Sequence, residues 1–542
     1  MWAKLLAREP GDLEPGRLTR DGPHREGDEP KPMMNGREKS DPAEVARKPT
    51  NAAGRPAGEL VERRAGAERN ALEDGRDRTP SRASLSPGLE RVRQAAREKK
   101  KLKFTALLHH VDVDLLRGSF RALKRDAAPG VDGVTWDDYA EGLDDRLVDL
   151  HGRIHRGAYR AQPSRRQYIP KPDGRQRPLG IAALEDKIVQ RALAEVLNAI
   201  YEEDFLGFSY GFRPGRGQHD ALDALAVAIE RRPVNWILDA DIASFFDTVS
   251  HEKLIRFVEH RVGDQRVIRL IRKWLTAGVS EDGVTTATTV GTPQGAVISP
   301  LLANVYLHYV FDLWAHRWRR HEAQGDVVIV RYADDIVAGF AHEADATRFQ
   351  AAMAERLQKF SLTLHPTKTR QIEFGRHAAA ARARRGLGKP ATFDFLGFTH
   401  ICGRSRAGRF QLRRKSRRDR MRATLAKIKL ELRHHLHAPI PEQGSWLRHV
   451  VRGYFAYHAV PTNAPSLSAF RRRVSEIWLR ALRRRSQRHA FTVPRMIRLH
   501  EQWLPRPRIL HPWPNRRFDV KHSRREPDAL IGPVRFCAGG AS

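Results

Sequence analysis

Acidic residues stand at the ends of two apolar segments that lie far apart in the sequence. One segment is Trp236-Ile-Leu-Asp-Ala-Asp241, and the other runs from Val327 into Tyr332-Ala-Asp-Asp335. Adjacent acids at a hairpin are by themselves ordinary turn chemistry. Carboxylates gathered at buried strand ends, however, repel each other by about 4 kcal/mol per close pair at an effective dielectric constant near 20. A divalent cation would relieve that repulsion.

Magnesium is the cation that such carboxylates favour. It takes oxygen ligands, keeps several waters and is usually held by one or two carboxylates together with substrate phosphates. Two such ions, about 4 Å apart, activate an attacking hydroxyl and stabilise the leaving group of an in-line phosphoryl displacement. Asp239 and Asp241 lie on the same face of a strand, so spacing alone does not decide which of them is a ligand.

Hydrophobic spacing predicts the elements that must position these acids. The apolar run from Val327 resumes at Ile336, which indicates two strands that meet at a turn, whereas Trp236–Asp241 reads as a strand that leads into a helix. Elsewhere Val189, Leu193, Val196 and Ile200 have helical spacing. Short apolar runs alternate with helices from about residue 128 to 400, which predicts an α+β fold.

After about residue 405 the chain becomes helical and basic. Two apolar stripes have helical spacing, and they consist of Met421, Leu425, Ile428, Leu432 and of Phe470, Val474, Ile477, Ala481. Their other faces are richer in cations than a solvated helix face requires. We therefore expect nucleic-acid contacts from two basic runs: Arg413, Arg414, Lys415, Arg417, Arg418 and Arg483, Arg484, Arg485.

Composition independently favours a polyanionic partner. The 542 residues carry a formal net charge of +33 with a pI near 10.8, and self-repulsion of that size is tolerated mainly beside nucleic acid. A membrane partner is less favoured, because charge interrupts each long apolar stretch, as His308 and Asp312 do between Leu301 and Trp314. Two cysteines build neither a disulfide framework nor a zinc cluster, which indicates a reducing, cytoplasmic setting.

The acidic segments resemble those of a known family. Tyr332-Ala-Asp-Asp335 resembles the signature tetrapeptide of reverse transcriptases in its group II intron form, and Asp241 to Asp247 resembles the family's first acidic motif. The resemblance implies that Asp241, Asp334 and Asp335 are the catalytic carboxylates and hold two Mg²⁺ ions. Phe246 matches the bulky residue beneath the incoming sugar, where an aromatic ring excludes a ribose 2′-hydroxyl.

Further segments resemble the family's motifs in the family's order: Ala128 to Gly133, Tyr168 to Ile181, Phe208 to Gly215, Gly291 to Leu302, Leu364 to Thr369 and Phe395 to Phe398. Lys171 and Arg177 are cations of the fingers motif and are suited to gripping a triphosphate. Gln294 offers an amide where the backbone approaches a ligand, and Lys368 is a further candidate for a phosphate contact. These four residues are the expected nucleotide contacts besides Phe246.

A glycine-containing loop carries two more expected contacts. Gly211, Gly215 and Gly217 stand beside Arg213 and Arg216. Glycine lets a backbone approach a ligand closely. We therefore expect this loop, through its two arginines, to pass close to the phosphates of a template.

The resemblance also implies an architecture, namely a right-hand polymerase whose fingers and palm, with an antiparallel palm sheet, precede an α-helical thumb or maturase domain. The expected divisions are a disordered leader (1–85), an N-terminal helical extension (86–165), fingers and palm (166–400), the helical thumb or maturase domain (401–515) and a tail (516–542). The part after about 440, including Val451 to His458, resembles the maturase domain. Implied partners are group II intron RNA, an RNA template with a DNA primer, dNTPs and target DNA, in a prokaryotic cytoplasm near the nucleoid.

Many group II intron proteins carry an endonuclease domain with paired cysteines and histidines. Cys402 and Cys537 are the only cysteines of this chain, so that it contains no Cys-x-x-Cys. We therefore expect no cleavage of the second target strand in cis, and priming from nascent replication strands instead.

Three alternatives stay open. A non-catalytic splicing maturase would bind its intron RNA without polymerising, and its expected sign is a damaged set of acids. A palm-type nucleotide cyclase would need paired acids but no fingers or primer-grip segments. A retron or defence-type reverse transcriptase would lack the maturase-like region after 440.

Overall fold

The computed structural model describes residues 86–170, 176–292, 295–485 and 491–522. The expected leader, Lys171, Gln294, Cys537 and the end of the expected tail lie outside these residues. Within the described part, helices and antiparallel sheets alternate as the α+β prediction required.

Helices dominate the first part of the described chain. The first of them begins behind Ser86, whose hydroxyl accepts a hydrogen bond from the Leu89 backbone N–H, with Pro87 in the first turn, as is usual at helix starts. The predicted helix through Val189 and Ile200 is confirmed, and both side chains are fully buried in the main core. These helices are α1 Pro87–Glu98, α2 Val113–Arg121, α3 Trp136–Ala140, α4 Leu143–His155 and α5 Leu184–Asp204.

A small sheet is formed by strands from two separate parts of the chain. Its strands are β1 Ser164–Pro170, β2 Gln176–Ile181, β4 Val279–Glu281 and β5 Val284–Thr286, in the order β2-β1-β4-β5. β1 and β2 pair antiparallel, whereas β1 and β4 pair in parallel.

The central sheet is fully antiparallel and carries the acidic segments. Its strands are β3 Trp236–Asp241, β6 Val327–Tyr332, β7 Asp335–Phe340 and β8 Arg370–Glu373, in the order β6-β7-β3-β8. Val328 and Ile329 are buried on opposite faces of β6, one in each of the two neighbouring cores. Burial on both sides explains why this strand is a continuous apolar run rather than an alternating one.

The helices of this part of the chain are α6 Gln218–Arg231, α7 Phe245–Thr248, α8 His251–Glu259, α9 Gln265–Thr276, α10 Ser299–Leu307, α11 Leu313–His321, α12 Glu343–Gln358 and α13 Ala378–Arg384. Of these, α6 packs against β6 of the central sheet, and α12 packs against β3 and β7. A π-helical segment, His308–Asp312, joins α10 to α11. Among the described residues, no helix combines the length and the apolar run that crossing a bilayer requires.

A three-stranded sheet and a helical unit follow. The strands are β9 Phe393–Phe395, β10 Phe398–Arg404 and β11 Phe410–Ser416, in the order β11-β10-β9, and the helices are α14 Arg418–His434, α15 Ile440–His458, α16 Ala464–Arg483, α17 Val493–Trp503 and α18 Pro514–His522. Both predicted apolar stripes are confirmed, since Leu425 and Ile428 of one stripe pack with Phe470 and Val474 of the other in a core of their own.

A buried ion cluster ties this unit to the central sheet. Asp223 of α6 is 2% exposed. Its carboxylate accepts a hydrogen bond from Arg414 Nη1 of β11 at 3.0 Å and lies 3.0 Å from Arg517 Nε of α18. The Arg414 guanidinium is itself buried, so three elements depend on one carboxylate.

We expect Asp223→Ala to lower the free energy of unfolding by about 3–5 kcal/mol, because a buried guanidinium would lose its counter-ion. Thermal or urea denaturation measures this loss. Asp144→Ala is the matched control, since Asp144 pairs with Arg117 at the surface, where an ion pair contributes about 0–1 kcal/mol. Equal denaturation midpoints for the two variants would show that the buried cluster does not hold these elements together.

Candidate active site

The central sheet brings two of the expected catalytic carboxylates face to face. β3 and β7 are antiparallel, and their register places Asp241 directly opposite Asp335. Residues in that relation have Cβ atoms about 4.5–5.5 Å apart. Asp334 lies in the two-residue turn between β6 and β7 and is only 6% exposed. All three acids therefore meet at one end of the sheet.

The turn has a strained backbone that a neighbouring loop supports. Ala333 has a φ of +56°, a left-handed conformation that is uncommon for residues other than glycine. The Phe208-to-Gly211 segment runs beside β6, where the Arg331 N–H donates to the Phe208 carbonyl and the Tyr210 N–H to the Arg331 carbonyl, both at 2.9 Å. A Cβ atom at Gly211 would collide with the backbone nitrogen of Ala333. The close approach expected of Gly211 is therefore to this turn.

A buried arginine, Arg331, binds the turn from the protein interior. Arg331 is fully buried, and its guanidinium donates to both carboxylate oxygens of Asp312 at 2.7 and 2.6 Å. It also donates to Asn304 Oδ1 at 3.1 Å, to Ser209 Oγ at 2.7 Å and to the Ala333 carbonyl at 3.1 Å. Charge-assisted, bidentate hydrogen bonds of this kind fix geometry. Arg331 thus fixes the carbonyl of the residue that precedes Asp334.

Sequence reasoning missed this network, although two signals were present. Arg331 is a charged residue inside an otherwise apolar strand, and Asp312 interrupts the apolar stretch from Leu301 to Trp314. A charge that is buried without a counter-ion is costly. Two opposite charges within apolar segments therefore suggest that Arg331 and Asp312 form an ion pair. Asp312 ends the π-helical segment, a local widening that is frequent at functional sites.

Lys368 lies at the carboxylates, where its ammonium group pairs with Asp241. Lys368 Nζ donates to Asp241 Oδ2 at 2.7 Å, and the two side chains are 54% and 14% exposed. The His365 N–H also donates to the Asp241 carbonyl at 2.8 Å, which holds the Lys368 segment against the end of β3. The Lys368 ammonium group thus lies where a bound metal ion would reduce the repulsion among the carboxylates.

Asp239, the other acid on this face of β3, has a counter-ion of its own. Arg370 Nη2 lies 3.2 Å from Asp239 Oδ2. Burial raises the pKa of Asp239 to about 6, and the hydrogen bond and charge of Arg370 oppose that rise only in part. Asp239 is paired with Val337 in the register, two positions away from the Asp241–Asp335 pair.

The donor set fits a magnesium site that substrate completes. Among the described residues, no three His, Cys, Asp or Glu side chains form a ready-made cation cluster. Asp241 and Asp335, with Asp334 beside them, offer carboxylate oxygens of the kind that magnesium takes. Magnesium in such sites draws its remaining ligands from water and substrate phosphates.

Phe246 and the segment leading to Gln294 lie beside this end of the sheet. Phe246 belongs to α7, which follows β3 directly, and its side chain is half-buried. Its carbonyl accepts a hydrogen bond from the Thr292 N–H at 2.7 Å. Beyond Gln294, a Cβ atom at Gly295 would lie 2.6 Å from the Gly180 carbonyl oxygen of β2. Arg177 is on the same strand, so Thr292 contacts Phe246 and Gly295 approaches the strand of Arg177.

Two of the expected nucleic-acid contacts are wrong. Arg213 is 4% exposed and pairs with Glu202 at 3.0 Å while donating to the Leu206 carbonyl at 2.8 Å. The Arg414 guanidinium forms the buried ion pair with Asp223 that was described above. Both guanidinium groups are buried and paired with a carboxylate inside the protein. The neighbouring Arg216 is half-buried and donates to the Gly207 carbonyl at 2.7 Å.

The other basic residues differ in exposure. Arg417 is half-buried and pairs with Asp419 at 2.6 Å, and the Arg485 guanidinium donates to the Ala438 carbonyl. The remaining members of the two runs are exposed: Arg413, Lys415, Arg418, Arg483 and Arg484. Contact of these exposed residues with nucleic acid stays a prediction.

Known proteins share this sequence pattern. Residues 169–400 match the family described as reverse transcriptase (RNA-dependent DNA polymerase), and this range contains β2, the central sheet and the expected carboxylates. Protein YkfC of Escherichia coli is 35% identical over 318 residues, which cover 52% of this chain and 78% of that protein. The class defined by fold and site is therefore a reverse transcriptase.

Two relatives define the type more closely. The group II intron-encoded protein LtrA of Lactococcus lactis is 35% identical over 223 residues, or 41% of this chain and 37% of LtrA. A 91 kDa protein in the cob intron of Schizosaccharomyces pombe is 45% identical over 170 residues, or 31% of this chain and 21% of that protein. The chain belongs to the reverse transcriptase family of group II intron-encoded proteins, although it spans well under half the length of these two relatives.

We expect Arg331→Met combined with Asp312→Leu to fold but to polymerise slowly. Removal of both members of a buried ion pair is often neutral for stability, whereas the turn would lose a hydrogen bond to a charged donor, worth about 1.5–3 kcal/mol. Loss of this hydrogen bond raises the activation free energy of nucleotide addition by a similar amount. We therefore expect kcat for primer extension on an RNA template to fall roughly 10- to 100-fold.

Arg331→Met alone is the control for this pair, and it should unfold readily because it leaves Asp312 buried without a counter-ion. A double variant with the parental melting temperature and parental kcat would show that Arg331 stabilises the fold without positioning the turn.

Proposed function

We propose that this chain is an RNA-directed DNA polymerase that copies intron RNA into DNA, and that it also binds this RNA to assist splicing and retrohoming. The observation that carries the proposal is the register of β3 and β7, which pairs Asp241 with Asp335 beside the Asp334 turn. The family match over residues 169–400 supports the same activity.

In this proposal the three carboxylates hold two magnesium ions against a primer terminus and a bound dNTP. When bound, the ions activate the 3′-hydroxyl and stabilise the leaving pyrophosphate. Lys368 releases Asp241 and contacts a phosphate of the nucleotide, a move that its exposed and flexible side chain permits. Phe246 excludes a ribose 2′-hydroxyl, while Arg177 attracts the triphosphate.

The proposal also assigns the structural elements to the subdomains of a polymerase. The β1–β2 hairpin forms the fingers, the central sheet forms the palm, and α14 to α17 form the thumb or maturase domain. The Leu396-Gly397 turn, in which both residues have positive φ, serves as the primer grip. The separate core of the C-terminal helices supports treating α14 to α17 as a unit.

We expect Asp334→Asn to reduce primer extension on an RNA template by orders of magnitude, because a neutral amide is a far weaker magnesium ligand than a carboxylate. Extension with Mg²⁺ and dNTPs measures the loss, and binding of intron RNA should be unchanged. Asp239→Asn is the matched control, since it is the same substitution on a neighbouring, half-buried acid, and it should retain most of the activity.

Two outcomes would reject this assignment. Equal extension by the parent and Asp334→Asn would exclude Asp334 from the site. Absence of extension by the parent itself, together with RNA-dependent stimulation of splicing by both proteins, would favour the non-catalytic maturase.

A further inference from the structure

A basic surface lies away from the carboxylates, at the opposite end of β3 from Asp241. It is formed by α13 with its flanking loops and by the tip of the β10–β11 hairpin. We call it the basic shoulder and define it by six exposed cations: Arg376, Arg384, Lys389, Arg404, Arg406 and Arg409.

The local sequence leaves these charges uncompensated. Neither the segment from Phe374 to Phe393 nor the segment from Phe395 to Ser416 contains an acidic residue. Glu373, at the edge of the shoulder, is occupied by Arg382 at 3.6 Å and by Arg385. Among the residues that the structure describes, none of the six shoulder cations forms an ion pair with a carboxylate.

The two halves of the shoulder face each other across a cleft of about 420 Å³. Arg376 and Ala379 line one side, and Arg404 and Gly408 line the other. On the adjoining face of the hairpin, the Arg413 side chain crosses Gly403 and donates to the Arg404 carbonyl at 2.7 Å. Cations therefore converge on a concave surface from two elements.

The shoulder is remote from the catalytic end of the sheet. β8 ends at Glu373, which pairs with Trp236 at the opposite end of β3 from Asp241. A six-residue strand is about 17 Å long at about 3.3 Å per residue. Arg404 is likewise about 20 Å along β10 from Phe398 and the neighbouring Leu396-Gly397 turn. These cations therefore lie outside the immediate surroundings of the carboxylates and of the Leu396-Gly397 turn.

We propose that the basic shoulder is a second RNA-binding surface, which holds the phosphate backbone of folded, double-stranded RNA while the carboxylates act elsewhere. This inference rests on the proposed function for the identity of the polyanion. Arginine favours such a ligand because its planar guanidinium matches phosphate oxygens. Leu387, which is 46% exposed, is the one strongly exposed large apolar side chain in the loop that follows α13, and this does not favour a protein or lipid partner.

The test is binding of the full-length protein to an RNA stem-loop of about 20 base pairs that has no single-stranded template. Arg384→Gln, Lys389→Gln, Arg404→Gln and Arg406→Gln are combined in one variant. We expect weaker binding by on the order of tenfold or more at moderate salt, with the log–log salt slope reduced by roughly 3 to 4, at about 0.9 per phosphate contact.

The matched control removes four exposed arginines from α8, α9 and α11, by Arg256→Gln, Arg272→Gln, Arg317→Gln and Arg320→Gln. It should bind the stem-loop nearly as the parent does. Extension of oligo(dT) on poly(rA) should stay at the parental level in both variants, which shows that they fold and that the shoulder is separate from the polymerase site.

Parental stem-loop affinity and salt slope in the shoulder variant would overturn the proposal, and so would an equal loss in the control variant. Loss of oligo(dT) extension in parallel with stem-loop binding would also overturn it, because the shoulder would then belong to the primer–template path. Failure of the Asp334→Asn test is a different outcome, since it affects extension and leaves stem-loop binding unchanged.

Discussion

Mutual repulsion among carboxylates is the constraint around which this structure is organised. The antiparallel register of β3 and β7 brings Asp241 against Asp335, and the turn adds Asp334 next to them. Such an arrangement is unfavourable unless positive charge is supplied, and Lys368 supplies part of it in the structure described here. The pairing of the strands therefore holds the carboxylates close together, although the carboxylates themselves repel each other.

Buried ion pairs supply the rigidity that this arrangement needs. Arg331 and Asp312 fix the strained turn from inside the core, and Asp223 joins the central sheet to the C-terminal unit through Arg414 and Arg517. Buried pairs of this kind add little net stability but make alternative packings costly, since a lone buried charge is severely destabilising. Part of the large positive charge of the chain is therefore structural, and the remainder, including the basic shoulder, faces solvent.

The local sequence pattern was sufficient to predict the strands, the helices and the clustered acidic residues, but not which side chains form ion pairs with each other. The apolar runs beside Asp241 and Asp334 and the helical spacing of Val189 to Ile200 correspond to strands and a helix in the structure. The burial of Arg213 and Arg414 was not predictable, because a basic run has the same appearance whether its cations face solvent or a distant carboxylate. Asp312 and Arg331 had a visible signal, an isolated charge in an apolar segment, but their pairing depends on how helix and strand pack.

The most direct test of the central claim is anomalous scattering from manganese in crystals of the protein with an RNA–DNA primer–template and a non-hydrolysable deoxynucleotide. Two manganese peaks are expected about 4 Å apart, ligated by the carboxylates of Asp241, Asp334 and Asp335, with Lys368 displaced from Asp241. Manganese bound only elsewhere, or a nucleotide bound at the turn with Lys368 still paired to Asp241 and no metal peak, would contradict it.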